Sequence, residues 1–564
     1  MTPRSLPPLL HQQQQRPVGH RLEWFFWTLV SLSTLIYLAA AGNDNSFHDF
    51  LGGRFPVADG FDWLKASLDA ASGYRTDYGV RRPWNLPFNV ASLWLGHRIG
   101  PDPLVSALAI KRLLALASIA AVLTALRPRL TLIATAGLGA LLVSTLPRFE
   151  SSPFLDFTGQ GLGYTHGSEL NAFIFVNVAL AWFVLGNDSL KAGRFREHAI
   201  RSAAGFLLLT LAVQARPGTL GLLPSLAVLV AVAAGRLGSQ GKQPSWAWRR
   251  LLSILLLALL GWLLISGGQL ALERNLARTA CGSIGANSGG SIMGMATGQT
   301  WREALKETNE TGLPGCGREL SRIQRNIGIE RLRSNPLPFL NLLKRNTLML
   351  LSLPSVLLTL ICPWILMLAL TMQKRSLRWR EDRANSGELL IIGLALCGSL
   401  SIIAFQFLFF SEAGLRPSTP YSIFPFLLLI GTVDKSLVVI SPSFSPAGIQ
   451  SRHGPFIAPL LTLALAAYLT VGMLLIHRQA LLSAGYGQVT GSIQVTPGWL
   501  KEWTDYRAIS PSIEIMYQSQ ISPDLTGMTN SEHQIPALMC VHYSRRGLPW
   551  GMPFGKLSIT RGQC

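Results

Sequence analysis

The sequence predicts an all-α polytopic membrane protein of about 11 transmembrane helices with a small β-rich C-terminal segment, because its apolar residues fall in blocks of roughly 20, the length that crosses hydrocarbon as a helix. Composition points the same way, with 49% hydrophobic and only 14% charged among 564 residues. Lysine and arginine gather in alternate connections between the blocks, as loops retained in the cytoplasm require.

The elements follow in order. Residues 1–20, with a glutamine run at 12–15, are polar and read as a disordered cytoplasmic N-terminus. The apolar stretch 21–42 lacks a small-residue cleavage site and reads as a retained first span. After Pro83, residues 85–99 (NLPFNVASLWLGHRI) mix bulky apolar and polar side chains at near-helical spacing, and this segment is expected to lie flat on the outer surface. Further spans are expected at 104–126, 130–146, 170–186, 203–215, 219–235, 251–272, 348–372, 388–410, 421–433 and 456–476. Within 203–235, Arg216-Pro217-Gly218 splits one apolar run into two short pieces, either a hairpin or one kinked helix. Lys111 and Arg112 sit oddly inside the second span, unless that helix starts late or at the interface. Beyond 476 the character changes: 485–488, 489–495 and 556–560 read as short strands between Gly, Pro and Ser turns.

Orientation comes from the basic connections: Arg127 and Arg129; Lys191, Arg194, Arg196 and Arg201; Arg236, Lys242, Arg249 and Arg250; and Lys374, Arg375, Arg378, Arg380 and Arg383. Placing these inside divides the chain into a transmembrane domain, 21–476, with outer loops 43–103, 147–169 and 273–345, and an extracytoplasmic C-terminal domain, 477–564. The first outer loop balances six basic residues with seven aspartates, so the net charge of +20 mainly records topology and calls for no nucleic-acid partner. Cys281 and Cys316 share one outer loop, and Cys540 and Cys564 share the tail, so each segment has an even number; the two pairs are candidate disulfides, the alternative being four unrelated thiols. Cys362 and Cys397 read as small apolar residues within spans.

No Walker loop, dinucleotide fingerprint, internal repeat or cysteine-histidine zinc spacing occurs, which argues against ATP-driven pumping and zinc chemistry. The candidate chemistry lies on the outer face. Asp59 and Asp62 are three residues apart in the first loop, on one side of a helical turn, where either carboxylate serves as a general base or as a helix cap. Arg81 and Arg82, with Trp84, suit phosphate oxygens or anionic lipid near the headgroups. Asp156, Tyr164, His166 and Glu169 precede the fourth span among glycines; Asp156 and Glu169 are active-site candidates or helix-start charges. Arg216 and Arg416 each occupy a short break between apolar runs, positions fit for holding a phosphate leaving group or for snorkelling to headgroups.

Five stretches carry a resemblance: PVADGFDWLKASLDAASG at 56–73, GSEL at 167–170, ARPG at 215–218, SIMGMATGQTW at 291–301 followed by Asn335-Pro336, and RPSTPYSIFPF at 416–426. In this order and sidedness the chain resembles the GT-C superfamily of integral membrane glycosyltransferases, the class that includes bacterial protein mannosyltransferases and aminoarabinose transferases. The resemblance implies transfer of a sugar from a polyprenyl-phosphate-linked donor to a glycan, lipid or protein acceptor, usually with inversion. It gives Asp59 the base role, Asp62 the second choice, and the arginines the lipid phosphate; it implies no organic cofactor and leaves a divalent metal open. It further implies a bacterial inner membrane with the active site facing the periplasm. Two departures leave the acceptor class open: the first loop lacks an adjacent Asp-Glu pair, and Pro417 follows Arg416 where many relatives carry an aromatic. A secondary transporter and a non-catalytic envelope assembly protein are the other classes; a transporter would put its ionisable groups near the membrane middle, whereas most acids here fall at the outer edge.

Overall fold

In a computed structural model of the chain, the residues described are 82–99, 103–146, 168–219, 221–238, 244–276, 288–313, 317–353, 386–413, 416–440 and 454–478, the strands 488–495, 517–521, 539–546 and 555–561, and the single residues 32, 67, 70, 356, 357, 362, 363 and 365. The chain divides into two compact units, Met1–Ser46 and Phe47–Cys564, and Leu32 is the described residue of the first.

The second unit is helical over most of its described length. Its helices are α1 (Asn85–Ile99), α2 (Pro103–Leu126), α3 (Leu132–Val143), α4 (Ser168–Lys191), α5 (Phe195–Ala215), α6 (Leu222–Gly238), α7 (Pro244–Leu276), α8 (Ser288–Thr297), α9 (Trp301–Thr311), α10 (Gly317–Ser334), α11 (Leu337–Leu351), α12 (Ser386–Ala413), α13 (Ile423–Ile440) and α14 (Gly454–Arg478), with a 3-10 turn at Arg416–Tyr421. Six of them are long and apolar enough to cross a membrane among the described residues: α2, α4, α5, α7, α12 and α14. Three shorter apolar helices, α3, α6 and α13, accompany them. The expected spans 21–42 and 348–372 fall largely outside the described residues.

Helix α4 is the centre of the bundle, with 94% of its span window buried, whereas α7 and α14 bury only 17% of theirs and present Leu, Trp and Phe outward. A helix apolar all round and buried all round needs partners on every side, and α2, α5 and the 3-10 turn supply them. Close approach is bought with glycines. A Cβ on Gly472 of α14 would lie 1.9 Å from the Pro87 carbonyl oxygen of α1, and one on Gly205 of α5 would lie 2.8 Å from the Phe183 ring of α4.

Helix α1 has the expected bounds but not the expected place. Asn85 through Leu93 are buried, rather than lying flat on a surface. Its polar positions are inside because they are bonded there: Ser92 Oγ donates to the Phe88 carbonyl at 2.8 Å and accepts from the Tyr468 hydroxyl at 2.7 Å, and Phe88 meets Tyr468 edge to face. Pro87, in the first turn, costs no ladder bond.

The two pieces of 203–235 form a hairpin. The first residue of α5, Phe195, lies 5.1 Å under the Arg250 guanidinium, and near the end of α6 Gly235 lies against Ala247 and Leu251, so both reach the start of α7. Between them the chain leaves helix at Arg216 and resumes at Leu222.

The amphipathic helices α9 and α10 carry the charge of the loop that follows α7. Helix α9 opens with a capping box: Thr300 N and Oγ1 donate to Glu303 Oε2 at 2.6 and 2.9 Å, and Glu303 N returns a bond to Thr300 Oγ1 at 3.4 Å. Those two bonds from Thr300 hold the Glu303 carboxyl below its ordinary range. Glu307 and Arg331 then tie α9 to α10.

The tail holds four strands, β1 (Gln488–Val495), β2 (Tyr517–Ile521), β3 (Met539–Arg546) and β4 (Gly555–Arg561), in the order β1-β3-β4-β2. The pairs β1 with β3 and β3 with β4 are antiparallel, and β2 with β4 is parallel.

Candidate functional site

The bundle has two chemically different ends. At one, Arg129 pairs with Asp188 in the last turn of α4, Arg194 and Arg201 pair with Glu197 at 3.1 and 3.4 Å, and Arg201 also donates to the Leu185 carbonyl at 2.9 Å. Asp434 of α13 accepts from the Thr131 hydroxyl and backbone amide that open α3. The basic connections after α2 and α4 and at the start of α7 therefore share one end, which the sequence assigns to the cytoplasm.

The other end is reached by following α4, a helix of 24 residues or about 36 Å at 1.5 Å per residue, back to its first turn. There Glu169 Oε1 lies 3.2 Å from Arg216 Nη2, with the side chains 3% and 9% exposed. Arg82 donates from Nη1 to Ser168 Oγ at 3.3 Å, and Ser168 Oγ donates to Glu169 Oε2 at 3.3 Å. The four groups make one strip, guanidinium to hydroxyl to carboxylate to guanidinium. Glu169 is bonded to Arg216 directly and to Arg82 through Ser168, so it fixes where both guanidinium groups point.

Why the chain folds this way is local. Pro217 ends α5 and Gly218 lets the break touch the opposite one: a Cβ at 218 would lie 1.7 Å from the Pro417 carbonyl oxygen. Ser418 Oγ donates to the Gly218 carbonyl at 2.8 Å, and the Tyr421 hydroxyl donates to the Ala212 carbonyl at 3.0 Å and to the Arg216 carbonyl. The bonds to the Arg216 and Gly218 carbonyls satisfy acceptors of the break, and the Ala212 carbonyl, which already accepts the Arg216 backbone N–H at 2.9 Å, gains a second donor. The bond from the Tyr421 hydroxyl to the Arg216 carbonyl sets the 3-10 turn against the same strip.

Three of the arginine and acid candidates thus meet: Arg82, Glu169 and Arg216. Arg416 begins the 3-10 turn docked on Gly218, with only its backbone described. Asp59, Asp62, Arg81, Asp156, Tyr164 and His166 lie outside the described residues, as do Cys281, Cys316 and Cys564; of Cys540 only the backbone is described, in β3. Cys362 and Cys397 carry free thiols. The first loop does reach this end: Ala70 is buried against Leu86 of α1 and Leu272 and Leu276 of α7, with Trp84 packed beside them. Trp84 in turn donates from Nε1 to the Ile265 carbonyl at 3.0 Å.

Ser168 and Tyr421 belong to the site and escaped the reading of the sequence, although each sits within a motif that it singled out. Asn85, Asn89 and Asn171 escaped too; amides at 85 and 89, one helical turn apart in an apolar stretch, were the available signal. Arg216 Nε is buried and has no hydrogen-bond partner among the described residues. It is a donor still open to an anion. Among the same residues no group of three or more His, Cys, Asp or Glu is placed to hold a metal ion.

The chain is a helical integral membrane protein with a buried ionic strip at one end of its bundle. No protein-family model, curated protein or solved structure matches it.

Proposed function

We propose that this protein is a membrane glycosyltransferase of the GT-C type, which moves a sugar from a polyprenyl-phosphate-linked donor to an acceptor on the outer face of a bacterial inner membrane. One observation carries the reading: the segments at 82–85, 168–171, 215–218 and 416–421, far apart in sequence, converge at the end opposite the basic connections and assemble two arginines with a carboxylate.

In this reading the acceptor hydroxyl attacks the anomeric carbon, its proton passes to a first-loop aspartate, and the bond from that carbon to the phosphate oxygen breaks. Polyprenyl phosphate leaves with the electron pair. Arg82 and Arg216 neutralise the charge that gathers on the leaving group, the open Nε of Arg216 being one donor for it. Glu169 is committed to Arg216 and Ser168, so it orients the phosphate-binding cation, while Asp59, or Asp62 as second choice, takes the proton. The lipid tail would lie along the bundle, and the site needs no organic cofactor.

Asp59→Asn keeps size and hydrogen bonding but removes basicity, so turnover on a polyprenyl-phosphate-linked sugar is expected to fall by roughly 10²-fold with the protein level unchanged. Radiolabelled-sugar transfer in proteoliposomes is the measurement. Undiminished transfer by Asp59→Asn, Asp62→Asn and the double variant would remove the base from this loop; no transfer by the unaltered protein from any such donor would favour the transporter or assembly classes.

A further inference from the structure

Lys111, the residue out of place in the second span, is fully buried in α2. Its Nζ donates to Asn89 Oδ1 and lies 5.7 Å from the centre of the Phe88 ring, and no carboxylate pairs with it among the described residues. Lys111 Nζ is the donor in that bond, so the amide that faces it presents oxygen. That fixes Asn89.

Asn171 Nδ2 then lies 3.5 Å from the same Asn89 Oδ1 and 2.8 Å from Asn85 Oδ1, so Asn171 donates in both directions, and its own Oδ1 has no partner among the described residues. With its oxygen taken, Asn85 turns Nδ2 to the Ala215 carbonyl at 3.1 Å and the Arg82 carbonyl at 3.3 Å. Ala215 is the last residue of α5 and immediately precedes Arg216, and Arg82 is the other phosphate-facing arginine. Four elements are joined in one directed chain: α2, α1, α4 and the end of α5.

We propose that Lys111 is a positioning residue: through Asn89, Asn171 and Asn85 it sets the direction in which a buried amide relay donates, and so holds the backbone at Arg82 and Ala215 where the two guanidinium groups meet one phosphate. The phosphate clause rests on the glycosyltransferase reading; the relay does not. Reversing any amide would set donor against donor or oxygen against oxygen, which is why a single donor at the head of the chain is sufficient to orient all of it.

The test uses matched substitutions in the full-length protein in lipid nanodiscs, read by hydrogen exchange of peptides spanning 212–219. Asn85→Asp removes the donor to Ala215 and Lys111→Met removes the orienting donor, so exchange there rises about tenfold or more in both. Asn89→Asp still presents oxygen to Lys111 and Asn171 and leaves that exchange at the wild-type level. Peptides at the basic end, 185–200, stay unchanged in all three, which a general loss of packing would not allow. Equal exchange in Asn85→Asp and Asn89→Asp, or wild-type exchange in Lys111→Met, overturns the relay. Titration with a short-chain polyprenyl phosphate, followed by tryptophan fluorescence, separates the two readings: Asn85→Asp and Lys111→Met weaken its binding about tenfold. Failure of the wild-type protein to bind that probe overturns the phosphate clause while the exchange result still decides the relay.

Discussion

Arg216→Met is expected to lower stability by about 3–5 kcal/mol, because it removes the cation paired with the Glu169 carboxylate in a site nearly closed to water. The pair is 3.2 Å apart with both side chains nearly inaccessible, so solvent screening offers no relief. Glu169→Leu is expected to cost a similar amount by stranding Arg216. Combining the two substitutions removes both charges and should recover most of the loss, since the desolvation of each ion was a large part of what the pair had to offset. Thermal unfolding of the four proteins in detergent measures the cycle. Single variants as stable as the parent would mean that the strip is hydrated, and the site would not have the low-dielectric character that a phosphate-binding pair needs.

Gly218→Ala has the second largest expected effect. The added methyl would overlap the carbonyl of Pro417, at 1.7 Å from its oxygen and 2.5 Å from its carbon. Both atoms are backbone, so no side-chain rotation relieves the clash, and the two breaks must part. Parting them gives up the bond from Ser418 Oγ to the Gly218 carbonyl and loosens that from the Tyr421 hydroxyl to the Arg216 carbonyl. A loss of about 1–3 kcal/mol is expected, together with weaker binding of polyprenyl phosphate. Gly267→Ala is the control, because nothing lies within 4 Å of its Cβ position. Alanine there should be neutral or stabilising by about 0.5–1 kcal/mol through helix propensity. Equal melting temperatures for the two variants would show that the breaks do not depend on their contact.

How much the sequence disclosed depended on whether a feature was a run or a meeting. Apolar runs alone placed α4 and α7, expected at 170–186 and 251–272 and found as Ser168–Lys191 and Pro244–Leu276. The overhanging turns are polar or aromatic, which hydropathy does not count. Helix α1 was legible in its bounds and misread in its setting, because Asn85, Asn89 and Ser92 look like a water-facing side until their buried partners are known. Lys111 was unaccountable for the same reason: its acceptor, Asn89, lies 22 residues away on another helix. At the site, Glu169 was singled out as an acid just before a span and Arg216 by its place in a break between apolar runs. That they face each other is a fact of packing, made by Gly218 and the docking of the 3-10 turn, and no spacing along the chain encodes it.

The central claim is that the strip at Glu169 and Arg216 receives a lipid phosphate. It is tested most directly by an experimental structure of the protein in lipid nanodiscs with a polyprenyl phosphate bound. The account predicts phosphate density beside the Arg216 and Arg82 guanidinium groups, at hydrogen-bond distances of about 2.7–3.1 Å, with the prenyl chain running along the bundle from that end. Phosphate density at the basic end around Arg129 and Arg201, or a continuous polar path through the bundle with none at Arg216, would contradict it.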